Sequence, residues 1–105
     1  MKMTIQSQVA LAAVLLTAGA VCFAQSAGEA TYKAKCATCH GAAGTPSAGM
    51  AKAMNIKAAS APEMKALSPA QMTAAVKAGK GKMKPIAGLN DTQVKDVVAY
   101  FRTLK

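Results

Sequence analysis

Tryptophan is absent from this 105-residue chain, and aromatic residues together make up only 4% of it. With two Tyr, two Phe and few Ile, strand-forming residues are scarce, which argues against a β-sandwich or a parallel α/β sheet. Charged residues reach 16% against 52% hydrophobic ones, a balance that excludes an intrinsically disordered chain. Ala and Met supply much of that apolar count, and they bury little area or pack adaptably. The expected fold is a small all-α domain. At this length it is a single domain, and something other than side chains must help fill its core.

The chain also lacks a hydrophobic run long enough to span a bilayer. Val9 to Ala24 carries no charge, but it is 16 residues long, short of the roughly 18–20 a spanning helix requires. Lys2 precedes it, and Gly19, Ala20 and Ala24 bring small residues to its end. This is the order of a secretory signal, with cleavage expected after Ala24 and Cys22 at minus three. A lipoprotein site at Cys22 is the weaker reading, because bulky Val21 precedes it. Retention of residues 1–24 as a membrane anchor is the remaining alternative. The expected organisation is a signal over residues 1–24 and one mature domain over residues 25–105, with no stable membrane insertion after cleavage.

Acidic residues are few. The mature segment holds 12 basic residues against Glu29, Glu63, Asp91 and Asp96, a net charge of +8. Cysteine falls from three to two, Cys36 and Cys39, and His40 is the sole histidine. A bridge between cysteines so close in sequence would close a very small loop and add little stability. The pair is better explained by chemistry than by stapling.

From Ser26 to Cys39 only Gly28 interrupts a helical reading, and Gly28, Tyr32 and Cys36 share one face at i, i+4 and i+8. Gly41, Gly44 and Pro46 mark a loop. Ser47 to Asn55, with Met50 and Met54 at i, i+4, reads as a short helix. Ser60 and Glu63 have capping-box spacing for another turn or two up to Leu67. Ser68-Pro69-Ala70-Gln71 is a cleaner helix start, and that helix stops at Gly79. Gly79 to Gly88 is an irregular loop. Asn90 then caps a last helix, on which Val94, Val97, Val98, Phe101 and Leu104 form the strongest helical period of the chain.

Cys36-Ala37-Thr38-Cys39-His40 is C-x-x-C-H, the attachment signature of a c-type haem. Two thiols three residues apart can add to the two vinyl groups of one haem edge, and the next residue places an imidazole under the iron. Zinc requires four ligands, and the mature segment offers two Cys and one His. A thioredoxin-like C-x-x-C follows a strand and opens a helix. Here the pair ends a helical stretch with no strand before it.

Over residues 26–105 the chain resembles the small soluble class I c-type cytochromes. Cys36 to His40 carries the resemblance most specifically. Gly28-xxx-Tyr32-xxx-Cys36 is similar to the first helix of that family, and Val97-Val98-Ala99-Tyr100-Phe101 to its last helix. The resemblance implies a cytochrome c fold of three to five short helices around one covalent haem c, attached through Cys36 and Cys39 with His40 as proximal iron ligand. It also implies that the first and last helices cross near the Gly with aromatics packed together. The bare sequence agrees, since Gly28 removes a side chain where two backbones can approach.

The other soft donors beyond the signal are Met50, Met54, Met64, Met72 and Met83. Four sit in helical patterns, where Met is usually core filler. Met83 lies among Gly and Lys with no apolar periodicity. The family's axial Met occupies the corresponding loop, commonly with Pro just after it; here Lys84 intervenes before Pro85. Met83 is the expected distal ligand. In related cytochromes a Pro carbonyl accepts the proximal imidazole N–H; Pro46 is either that residue or an ordinary turn proline. Ile56, Leu67, Met72, Val76, Ile86 and Leu89 are candidates for the haem pocket.

His and Met together leave no open coordination site, so the expected function is one-electron transfer between redox partners in the periplasm, and not an enzyme activity. The alternative is a haem enzyme or ligand sensor in which Met83 does not bind. Lys77, Lys80, Lys82 and Lys84 cluster around Met83. They form either a solvated face or a basic collar steering a partner with an acidic docking face. Nucleic acid is not an expected partner, since no stacking aromatics interleave with the lysines.

Overall fold

Capping chemistry sets most of the helix boundaries. A computed structural model describes residues 25–105; the expected signal, residues 1–24, lies outside the described residues. Six helical segments occur among them: α1 (residues 25–35), α2 (Ala37–His40), α3 (Ala48–Met54), α4 (Pro62–Lys65), α5 (Pro69–Ala78) and α6 (Asp91–Phe101). A turn at Cys36 separates α1 from α2, so the two together correspond to the single first helix read from the sequence. The described residues contain no strand, only an isolated bridge between Lys80 and Met83. The architecture is all-α.

Both long late helices begin with reciprocal capping boxes. The Ser68 hydroxyl accepts from Gln71 N and the Gln71 side chain accepts from Ser68 N; Asn90 and Gln93 repeat the arrangement. Ser47 caps α3 with a single bond, accepting from Met50 N without a reciprocal partner, and Asn55 closes the helix in the left-handed conformation. The expected Ser60 cap does not form. Pro62 takes the first helical position of α4, which moves the cap to Ala61, a residue with no side-chain acceptor.

The core is assembled by α1, α5 and α6. Met72 and Val76 of α5 meet Val94 and Val98 of α6 in one buried cluster, bordered by Leu67, Met83, Ile86, Leu89 and Phe101. Helix α1 crosses α6 at Gly28. A Cβ on Gly28 would overlap the Asp96 carbonyl and fall 2.9 Å from Tyr100 Cβ, so only glycine permits this approach. Tyr32, 1% exposed, fills the space one turn later, its ring centroid 5.5 Å from Tyr100 and 6.1 Å from Phe101. The crossing expected from the sequence is present, with both α6 aromatics against the same tyrosine.

Candidate haem site

The cysteine pair and histidine are positioned by local backbone bonds. Cys36 N donates to Tyr32 O at 2.8 Å, and Cys39 N and His40 N both return to Cys36 O at 3.2 and 3.0 Å. This turn presents all three side chains from five consecutive residues. Gly41 N donates to Ala37 O at 2.8 Å and ends α2. The Tyr32 hydroxyl then donates to Gly41 O at 2.6 Å, tying the buried middle of α1 to the residue after His40.

The electrostatics of the motif follow from burial. Cys36 and Cys39 are unbridged. Desolvation pushes the Cys36 thiol above its ordinary range, with a smaller contribution from Cys39, which favours the neutral thiol over the thiolate. Burial also lowers the His40 pKa, which favours the neutral, ligating form of the imidazole. His40 Nδ1 is buried and has no hydrogen-bond partner within the protein. The Pro46 carbonyl is therefore not its acceptor in this structure.

The His40 ring packs edge-on against Phe101, with centroids 5.6 Å apart and planes at 72°. The sequence places Phe101 in the apolar stripe of the last helix and in the stretch similar to the family's last helix. Its position in the apolar stripe, one turn beyond Val97 and Val98, was the signal that it faces inward, but nothing in the sequence pairs it with His40.

Met83 reaches the same core from the other side of the chain. Gly79 ends α5 at φ 80°, and a Cβ there would lie 2.7 Å from Met83 O and 3.0 Å from Pro85 Cδ. Lys80 and Met83 exchange backbone hydrogen bonds at 2.9 and 3.0 Å, and Ile86 N anchors the loop exit on Val76 O at 2.9 Å. Met83 is half-buried against the Met72–Val76–Val94–Val98 cluster that Phe101 also borders. His40 contacts Phe101, and Phe101 and Met83 flank one apolar cluster.

Of the pocket candidates, Met72 and Val76 are buried in that cluster, and Leu67, Ile86 and Leu89 pack on it. Ile56 is half-buried but is not among them. A cavity of about 180 Å³ lies beside Phe101, lined also by Ala59, Met64, Lys65, Met72 and Arg102. None of Cys36, Cys39, His40 and Met83 lines it, and it is smaller than the ~300–1,000 Å³ of an enclosed small-molecule site. Arg102 at its rim donates to Leu67 O at 2.6 Å and approaches Met72 Sδ at 4.0 Å. Among the described residues no group of three or more His, Cys, Asp and Glu side chains converges as a metal site.

The family model for "Cytochrome C oxidase, cbb3-type, subunit III" matches residues 23–101. The chain belongs to the small monohaem c-type cytochromes. It is also 38% identical over 97 residues to "Cytochrome c-555" of Chlorobaculum tepidum, covering 85% of this chain and 84% of that relative. No solved structure matches the chain. The cytochrome thus carries haem c, covalently bound, and is a haem-based electron carrier that works with redox partner proteins. The side chains present fit that group: two unbridged thiols, an imidazole whose neutral form burial favours and whose Nδ1 is orphaned, and a half-buried thioether on a loop.

The lysine collar is altered by the fold. Lys77 pairs with Asp91 at 2.6 Å, and Lys82 donates to Ala53 O at 2.9 Å. Lys80 and Lys84 are exposed and form no ion pair among the described residues. Two of the four expected collar lysines of the cytochrome are thus engaged within the chain. Proximity in sequence grouped them, whereas their partners come from α3 and α6.

Proposed function

We propose that this cytochrome passes single electrons between partner proteins in the periplasm, with Cys36 and Cys39 holding the haem and His40 and Met83 as its axial iron ligands. One observation carries the distal assignment. Met50 and Met54 lie in α3, Met64 in α4 and Met72 in α5, whereas Met83 stands on a loop and is still half-buried against the core. A Met outside any helix and still turned to the core has no helix-packing role to account for its burial.

Haem iron ligated by His and Met takes up and releases one electron without binding substrate, at a potential raised by the thioether. The protein's own residues prepare that arrangement. His40 is desolvated, so its lone pair is available without loss of a proton. Phe101 buttresses the imidazole from α6. The base of the Met83 loop is pinned to α5 by the Ile86–Val76 hydrogen bond. Lys80 and Lys84 remain on the surface to attract an acidic docking face.

The periplasmic assignment rests on the charge-free segment from Val9 to Ala24 and the small residues ending it. No helix among the described residues is long and apolar enough to cross a membrane. The exported form is proposed to begin near Gln25, and N-terminal sequencing that found Met1, or lipid on Cys22, would contradict this.

The decisive experiment is an absorption spectrum of the purified protein in both redox states, with the mass of the denatured chain. The expected results are a chain mass increased by one haem, and a far-red sulfur-to-iron band that Met83→Ala abolishes and Met50, Met54 or Met64 variants keep. A ferric protein without that band, binding small ligands at once, would instead favour a haem enzyme or sensor.

A further inference from the structure

The loop that carries Met83 is fastened unequally. Its base is secured twice, by the paired Lys80–Met83 backbone bonds and by Ile86 N on Val76 O. Its tip, Gly81-Lys82, has one long-range side-chain bond. Lys82 Nζ donates to Ala53 O at 2.9 Å, across 29 residues of chain. Ala53 lies in the last turn of α3, where carbonyls have no partner within the helix. The ammonium thus satisfies an orphaned acceptor through a charge-assisted hydrogen bond. Neither Lys80 nor Lys84 makes a bond of this kind, and Lys77 is paired on the surface with Asp91 at the start of α6.

We propose that Lys82 is a positioning residue for Met83. Its side chain straps the loop tip to the end of α3 and so holds the thioether loop shut. The proposal rests on the reading of Met83 as the distal ligand. Any excursion that carries the loop tip away from α3 must break the Lys82–Ala53 bond, so its loss raises the population of open loop. For a solvent-exposed charge-assisted bond the increase is roughly two- to fivefold.

The test is an imidazole titration of the ferric holoprotein, followed by loss of the far-red sulfur-to-iron band. Added imidazole reaches the iron only where Met83 has left it, so its apparent affinity scales with the open fraction. Lys82→Met should bind imidazole roughly two- to fivefold more tightly than wild type, the same range expected for loop opening. Lys82→Arg, which retains a cationic donor, should restore the wild-type value. Lys80→Met and Lys84→Met remove the same charge from the same loop and should titrate as wild type. If Lys80→Met matches Lys82→Met, the effect is one of charge alone and the strap is rejected. Wild-type behaviour of Lys82→Met, with Met83→Ala lacking the band, rejects the strap while leaving Met83 as ligand. A band that persists in Met83→Ala overturns the ligand assignment and the strap together.

Discussion

The Tyr32 hydroxyl donates to the Gly41 carbonyl at 2.6 Å, so the most deeply buried side chain among the described residues is bonded to the residue that follows the haem-motif histidine. Tyr32→Phe keeps the ring and removes only this bond. The expected cost is about 1 kcal/mol, read as a lower urea midpoint at neutral pH. The alkaline limb should change as well. Burial, with smaller contributions from Cys36 and Tyr100, raises the Tyr32 pKa from 10.0 to about 12. The fold therefore favours the neutral phenol. That contribution is complete below pH 10 and is lost as pH rises toward about 12. Tyr32→Phe should lose less stability than wild type between pH 10 and pH 12, while lysine titration is common to both. Parallel curves would show that Tyr32 ionises no differently on folding.

Gly28 makes the opposite kind of prediction, since what matters is an absent side chain. Gly28→Ala forces a Cβ onto the Asp96 carbonyl and against Tyr100. Overpacking of this type typically costs 1–3 kcal/mol, and here one of the two obstacles is backbone. Chemical denaturation should show the loss, while the folded fraction keeps its visible spectrum, because Gly28 lies about two helical turns away from Cys36. An unchanged midpoint would mean that α1 and α6 do not cross at this residue.

Arg102 stitches the end of α6 to the turn between α4 and α5 through Leu67 O at 2.6 Å. Removing it leaves the Leu67 carbonyl to water and opens one side of the cavity beside Phe101. Arg102→Ala should lower stability by about 1 kcal/mol, and Arg102→Lys should recover part of that in the same thermal melt. Equal losses in the two variants would assign the effect to the arginine's packing on Met72 and not to its donor.

Lys80 and Lys84, the collar lysines whose side chains make no bond among the described residues, should dominate electrostatic steering. Replacing Lys80 and Lys84 with Gln should flatten the dependence of the electron-transfer rate on ionic strength with an acidic partner. Steering of this kind fades as the screening length falls from about 10 Å at 0.1 M to about 3 Å at 1 M salt. Lys77→Gln and Lys52→Gln together provide the matched control: the first is paired with Asp91 and the second lies on α3. Stopped-flow rates that respond equally to both pairs would reduce the collar to a share of the general positive charge.

Most of what is legible in the sequence is carried by residues close together in the chain. Cys36, Cys39 and His40 are legible because their spacing within one helical turn is a local matter. The same holds for the Ser68–Gln71 and Asn90–Gln93 boxes, whose partners lie three residues apart. Even Gly28 with Tyr32 was readable, since i, i+4 spacing places them on one face. The Ser60 cap is the exception, because Pro62 competes for the first helical position and wins. Tertiary structure alone decided which distant groups meet. Phe101 against His40, Lys82 on Ala53, Arg102 on Leu67 and Lys77 beside Asp91 join residues 14 to 61 positions apart. No periodicity encodes such pairs. They arise when α5 and α6 close over their shared apolar cluster and bring their ends, and the Met83 loop between them, into register.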